Sequence, residues 1–234
     1  METAPDFLTK TTTEDVIMRT TLDQNMQKQA EEGLAFVFDT KITAGSKAQA
    51  AIVVMSADGA VRAMVGGRKI EEAGAFNRAT QADRQPGSTI KPAVAIAGLD
   101  SGVVTASSRV FDPGYYQLPN YDHKYRNWNR TGDGFVDLDT AIMRSNDTYF
   151  YDLAHKLGID RLSAYMNKFG IGQKVSLDMF EESPGLMPSR EWKRATRKQA
   201  WFPGETLILG IGQGYMQSTP LQLAQATALV ANKG

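Results

Sequence analysis

Apolar residues along this chain fall into short runs of helical or alternating spacing, divided by stretches rich in Gly, Pro and Asn. In residues 21–41, Leu22, Met26, Leu34 and Val37 recur near helical spacing, which predicts a helix with Thr21 or Asp23 as its N-cap. The period then changes. Residues 50–56 (AAIVVMS) and 60–67 (AVRAMVGG) flank Ala57-Asp58-Gly59, and β-branched runs around an Asp-Gly turn predict a hairpin. Residues 67–87 read as loop, and a helix is expected from Ser88 to about Gly102 with Pro92 in its first turn, where the missing N–H costs nothing.

Residues 103–138 are rich in Pro, Gly, Asn and aromatics and read as one long loop, a length that usually signals function. Residues 139–144 predict the end of a helix, and residues 148–156 a second one that stops at Gly158. Asp160 is expected to cap a third, closed by Gly170. Beyond lie a basic Trp-flanked stretch (REWKRATRKQAW), the run LILGIGQGYMQ, and a last helix. That helix carries a capping box, Thr219 to Gln222, with Pro220 at its first position. Residues 1–14, polar and Thr-rich, are expected to be a lead-in, leaving 15–234 as one partial domain.

Composition narrows the function by exclusion. The 234 residues hold 26 basic and 26 acidic side chains, so no overall field selects nucleic acid or anionic lipid. There is no cysteine, which rules out disulfides and thiolate chemistry and places the chain in no redox compartment. No apolar run approaches the ~18 residues of a membrane span, and METAPDFLTK does not have the pattern of a signal peptide.

The sharpest chemical feature is Gln85-Pro86-Gly87-Ser88-Thr89-Ile90-Lys91-Pro92. A serine at a helix start and a lysine three residues later share one face, about 5–6 Å apart at Cβ. A hydroxyl becomes a useful nucleophile when a base takes its proton, and a neutral amine can be that base. The helix N-terminus favours negative charge at Ser88 and disfavours the cation on Lys91. To serve near neutrality Lys91 must lose about three units from ~10.4, roughly 4 kcal/mol, which requires burial or nearby cations. Alone, S-x-x-K also fits a capping serine followed by a surface lysine. The flanking Pro-Gly and Pro make the match more specific, and Ser145-Asn146-Asp147 follows at a predicted helix start. That triplet reads as a cap for the next helix and equally as a loop that aims Ser145 at Ser88; one loop can do both.

S-x-x-K followed by S-x-N/D resembles the penicillin-binding proteins and serine β-lactamases, whose third motif is K-[ST]-G. Residues 5–98 are similar to the bifunctional class A enzymes through APDF, RTTLDQNMQKQAEE, GAVRAMVGGR and FNRATQADRQPGSTIKP. Residues 99–234 resemble penicillin-binding protein 2, the class B branch, through FDPGYYQLPNYDHKYRNW, SNDTYFYDLA, LGIDRLSAYMNKFGIG, MPSREWK, GIGQGY and STPLQLAQATALVANKG. The resemblance implies Ser88 as acylated nucleophile, Lys91 as its base, Ser145 as proton-shuttling serine and Asp147 at a position that is Asn in class A. Neither Lys-Thr-Gly nor Lys-Ser-Gly occurs in these residues. The second oxyanion-hole donor follows that motif in the family, so activity is expected to be impaired, typically by ~10²–10³ for one lost donor.

Some relatives of the class B branch bind zinc between the first two motifs. Asp112 matches one ligand position, but the other places fall on Asn127, Asp133 and Asn146, so no metal and no other cofactor is expected. His123 and His155 are expected on the surface or a helix face, and the 190–197 cluster as a solvated basic loop that binds no nucleic acid. The implied fold is α/β: an antiparallel sheet with helices on both sides, the strands after residue 234 missing. The implied reaction is peptidoglycan D,D-transpeptidation through a Ser88 acyl-enzyme on the periplasmic side of the cell membrane. Stem peptides, β-lactams and cell-wall elongation proteins are the expected partners. The competing readings are a penicillin-binding scaffold without turnover and a serine β-lactamase.

Overall fold

The structure, a computed structural model, describes residues 17–68 and 75–234. The expected lead-in, and residues 69–74 of the expected loop, lie outside the described residues. The described residues form two compact units: one from residues 17–68, 75–83, 173–184 and 219–234, the other from 84–172 and 185–218.

In the first unit, α1 (Gln24–Thr40) starts at Asp23, whose carboxylate accepts from the Met26 N–H at 2.9 Å. Its buried stripe is Ala30, Leu34 and Phe38, three residues four apart. Leu34 alone belongs to the expected apolar face. Leu22, Met26 and Val37 are exposed, because the face is set by the hairpin it packs on, β1 (Ile52–Met55) and β2 (Val61–Val65). The two strands are antiparallel with Ile52 opposite Val65, as the Asp-Gly turn predicts. At Met64 on β2 the backbone is met by a side chain: the Gln27 amide donates to Met64 O at 2.9 Å and accepts from Met64 N–H at 2.8 Å, while the Asp23 N–H donates to Arg62 O at 2.8 Å. A short helix, α2 (Arg78–Gln81), interrupts the expected loop, capped by Asn77. The last helix, α8 (Pro220–Ala231), begins with the predicted Thr219–Gln222 capping box. The Gln222 amide also donates to Gln173 O and Pro184 O at 2.7 and 2.8 Å, fastening the 173–184 segment.

The second unit is built on α5 (Asp147–Lys168), whose Tyr149, Phe150, Leu153, Ile159, Leu162 and Met166 are buried. Each large apolar side chain withdrawn from water contributes roughly 1.5–3 kcal/mol. Gly158 breaks this helix with φ 71° and ψ 163°, a conformation other residues reach only at a cost, so the predicted stop is a kink. Against α5 pack α3 (Lys91–Asp100) and α7 (Pro203–Gly210). Ahead of α3 runs a 3₁₀ turn, Gly87–Ile90.

Two expectations for this unit are corrected. Residues 103–138 are no structureless loop: β3 (Val110–Asp112) pairs antiparallel with β6 (Gly134–Val136), and β4 (Tyr115–Gln117) with β5 (Lys124–Arg126). Strands of three residues are too short to show alternation in sequence. The basic stretch is a helix, α6 (Arg190–Arg197), capped by Ser189, and its Lys193 is buried against Glu205 rather than solvated. The remaining helix, α4 (Leu138–Met143), is capped by Asp137, whose carboxylate accepts from the Thr140 N–H at 2.9 Å.

Candidate active site

Ser88 occupies the 3₁₀ turn and is exposed, while Lys91, the first residue of α3, is 2% exposed. The strand-like approach to the turn is braced from behind. Arg84 and Ser218 exchange backbone hydrogen bonds of 2.8 and 3.0 Å. The Gln85 amide donates to Gly214 O at 2.8 Å, and the Gly87 N–H donates to Gly212 O at 2.8 Å. Gly212 is required there: its φ is 71°, and a Cβ would lie 2.1 Å from Gly87 O. Sequence reasoning missed this role, although the Gly-Ile-Gly-Gln-Gly run of residues 210–214 was its visible signal.

Lys91 Nζ spends its three donors on one loop. It donates to Ser145 O at 2.8 Å, Ser145 Oγ at 3.1 Å and Asp147 Oδ1 at 2.6 Å. The Phe150 ring lies beside it, with Nζ 5.3 Å from the centroid. Burial pulls the Lys91 amine below its usual range, and the hydrogen bond and charge of Asp147 oppose that shift. Of the three acceptors only the Ser145 hydroxyl has a proton to return. When Nζ is neutral, its lone pair can therefore accept from Ser145 Oγ but from neither the carbonyl nor the carboxylate.

Ser145 achieves this double contact in a left-handed conformation, φ 51°, rare for a residue with a Cβ. It follows Arg144, the C-cap of α4, and precedes Asn146, the N-cap of α5, so the chain turns from one helix to the next within three residues. A left-handed non-glycine residue costs of order 1–3 kcal/mol and persists where its surroundings fix it. The structure thus brings Lys91, Ser145 and Asp147 together. Ser88 stands one helical turn before Lys91, and none of the three Lys91 hydrogen bonds goes to it.

Asp112, Asn127, Asp133 and Asn146 also converge. The Asn127 and Asn146 amide N–H groups donate to Asp112 Oδ2 at 2.7 and 2.6 Å, and Asn146 also donates to Asp133 Oδ2 at 2.9 Å. Hydrogen bonds from Asn146, Asn129 and Arg144 hold the Asp133 carboxyl below the usual carboxylate range. These residues do not fit zinc: the two amides present N–H donors toward the carboxylates, and an amide nitrogen has no lone pair for a metal. Of the histidines, His155 on α5 shares a 2.7 Å hydrogen bond with the Tyr116 hydroxyl, and His123 packs edge-on against Tyr125.

The family described as penicillin binding protein transpeptidase domain matches residues 50–234, and the chain belongs to it. Over 159 residues, 68% of this chain, it is 51% identical to a protein of Acinetobacter baumannii named peptidoglycan D,D-transpeptidase MrdA. It is 38% identical over 149 residues, 62% of this chain, to penicillin-binding protein 1A of Pseudomonas aeruginosa, so both branches are represented among its relatives. The chain spans 24% and 17% of those two proteins' lengths. Among solved structures, Pseudomonas aeruginosa PBP2 in complex with WCK 5153 superposes with a TM-score of 0.81 at 59% identity, covering 92% of this chain and 51% of that one. Helicobacter pylori PBP2 in complex with MreC gives 0.76 at 29% identity, covering 91% and 42%. The fold is accordingly the α/β transpeptidase fold of the penicillin-binding proteins.

Proposed function

We propose that this chain carries the acylation machinery of a serine peptidoglycan D,D-transpeptidase. The observation behind this reading is the buried Lys91 amine, lowered in basicity and bound by the Ser145–Asp147 loop, three residues after an exposed serine. Membership of the transpeptidase family adds the substrate class.

In this reading Ser88 Oγ attacks the carbonyl carbon of the D-Ala-D-Ala amide while Lys91 Nζ takes the hydroxyl proton. The C–N bond breaks, D-Ala leaves as an amine that takes up a proton relayed through Ser145, and Ser88 holds the acyl group as an ester. The amine of a second stem peptide then attacks the ester, giving the cross-link and returning a proton to Ser88. The Ser88 backbone N–H, at the start of the helical segment, is one donor for the oxyanion. A β-lactam mimics the dipeptide and acylates the same oxygen. Action on the periplasmic side of the membrane and docking to cell-wall elongation proteins follow as proposals, supported by the MreC complex of the Helicobacter pylori relative.

Incubation with a labelled penicillin, followed by intact-mass and peptide-mass analysis, tests the reading. A long-lived adduct on Ser88 is expected. Rapid release of hydrolysed penicillin makes the chain a β-lactamase, and no adduct on folded protein makes it a scaffold without turnover.

A further inference from the structure

Five donors converge on one buried carboxylate that the mechanism does not use. Asp112 Oδ1 accepts from the Gly114 N–H at 2.7 Å and the Thr148 hydroxyl at 2.6 Å. Asp112 Oδ2 accepts from Asn127 Nδ2 at 2.7 Å, Asn146 Nδ2 at 2.6 Å and the Asp133 N–H at 3.1 Å. Asp112 is 1% exposed, and Asn127 and Asn146 are 0% exposed. Among the described residues no cation pairs with it; Arg144 goes to Asp133 instead. A buried carboxylate kept without a cation is costly unless its lone pairs are filled, and five donors fill them.

The two asparagines turn this hub into a positioning device. Each gives its N–H to Asp112 and keeps its carbonyl for the start of α5. Asn127 Oδ1 accepts from the Asp147 N–H at 3.0 Å, and Asn146 Oδ1 accepts from the Tyr149 N–H at 2.8 Å. Asn127 lies 20 residues before Asp147 in sequence, so its contact ties the segment after β5 to the loop that holds Lys91. The Thr148 hydroxyl supplies a third tie one residue further on. Together they immobilise residues 145–148, the backbone that presents every acceptor of Lys91 Nζ.

We propose that Asp112 is a positioning residue for this site: through Asn127 and Asn146 its carboxylate fixes the Ser145–Asp147 loop against Lys91. The proposal rests on the reading of Lys91 as the base and extends it to a residue that touches neither substrate nor Lys91. Its chemistry is specific. All five groups facing Asp112 are donors, so Asp112→Asn places a sixth donor among them and leaves hydrogen bonds unmade. Converting Asn127 to Asp in the same chain returns an acceptor to face the new amide, while Asn127 Oδ1 keeps its role toward Asp147.

The experiment compares the parent, Asp112→Asn and the double variant Asp112→Asn with Asn127→Asp by amide hydrogen exchange and by the rate of labelled-penicillin acylation per folded molecule. The expected result is local. In Asp112→Asn, protection of the Asp147 and Tyr149 amides falls at least about tenfold relative to Leu153 and Ala154 in the same helix. Acylation falls by about tenfold or more, and the double variant recovers a substantial part of both. A uniform loss of protection across α5 with acylation per folded molecule unchanged overturns the proposal, because Asp112 then serves the fold alone. If Asp112→Asn does not fold, Thr148→Val removes one tie, and the same local loss at Asp147 and Tyr149 is required of it. A parent that never acylates defeats the reading of function, and the exchange pattern still decides whether Asp112 positions the loop.

Discussion

Lys91 Nζ and Asp147 Oδ1 lie 2.6 Å apart, with side chains 3% and 16% exposed. Two opposed effects meet in this pair. Burial favours the neutral amine that a base must be, and Asp147 favours the ammonium. Burial is the larger, so the amine stays below its ordinary 10.5. The carboxylate opposes the neutral form and at the same time fixes where the amine points.

Asp147→Asn separates the two effects. Without the carboxylate, burial acts unopposed and the Lys91 pKa falls further, so the acidic limb of the acylation pH profile moves to lower pH. The amide still offers an oxygen to Nζ, which keeps the geometry. A pH–rate series with labelled penicillin reads the limb directly, and a limb that moves to higher pH contradicts the assignment of Lys91 as base.

In the proposed mechanism Lys91→Ala removes the base. A positioned base contributes ~10²–10⁴ in rate, and acylation at Ser88 is expected to fall by that factor while circular dichroism stays that of the folded parent. A variant acylating at more than about a tenth of the parent rate removes Lys91 from the reaction.

The same amine makes stability depend on pH. In the folded chain Lys91 releases its proton below 10.5, whereas the unfolded chain keeps it until that value is reached. Across this interval the unfolded state binds more protons, so stability rises with pH. The penalty is fully present below the folded pKa and relieved as pH rises through it. Denaturant titrations between neutral and alkaline pH are expected to show this slope in the parent and a shallower one in Lys91→Met.

Local rules made part of this molecule legible and left part hidden. The Asp-Gly hairpin and the Thr219–Gln222 capping box each depend on a few adjacent residues and stand where the chain chemistry puts them, and the break at Gly158 is there too, as a kink rather than a stop. That Ser88 stands one helical turn before Lys91 was readable as a spacing. Ser145 and Asp147 entered the site through the family resemblance and not through any spacing, because 54 and 56 residues separate them from Lys91. Spacing was equally silent on the buried face of α1, which the distant hairpin selects, and on the β3–β6 pair, whose strands are three residues long. The ligand types in the sequence already speak against zinc; that Asn127 and Asn146 donate to Asp112 is a fact of three-dimensional placement.

Gly212→Ala tests the brace behind Ser88. The added methyl would stand 2.1 Å from Gly87 O, and φ 71° adds the penalty of a left-handed residue with a Cβ, about 1–2 kcal/mol. The backbone of Gly87 must give way, and Ser88 is attached to it. Thermal unfolding is expected to show a loss of more than about 2 kcal/mol, with slower acylation per folded molecule. An unperturbed acylation rate in a destabilised variant separates the brace from the chemistry.

Lys193 supplies the contrasting case, a buried lysine to which the proposed mechanism gives no part. Its Nζ donates to both oxygens of Glu205 at 2.5 and 2.6 Å and sits 4.3 Å from the Phe202 ring centroid. Glu205 in turn accepts from the Phe202 N–H at 2.8 Å, so the pair fastens α6 to the first turn of α7. Lys193→Ala leaves Glu205 without its cation and opens a cavity beside Phe202. Removing one partner of a buried pair costs ~3–5 kcal/mol; Glu205 is 23% exposed, so water recovers part of that and about 2–3 kcal/mol is expected. Replacing both residues with apolar ones, Lys193→Met and Glu205→Leu, removes the uncompensated charge and should return much of the loss, as a double-mutant cycle in denaturant measures. Penicillin acylation per folded molecule should remain at the parent rate throughout. Burial alone therefore does not single out Lys91: its Nζ has an acceptor, Ser145 Oγ, that can hand a proton back, whereas the hydrogen bonds of Lys193 Nζ go to the Glu205 carboxylate.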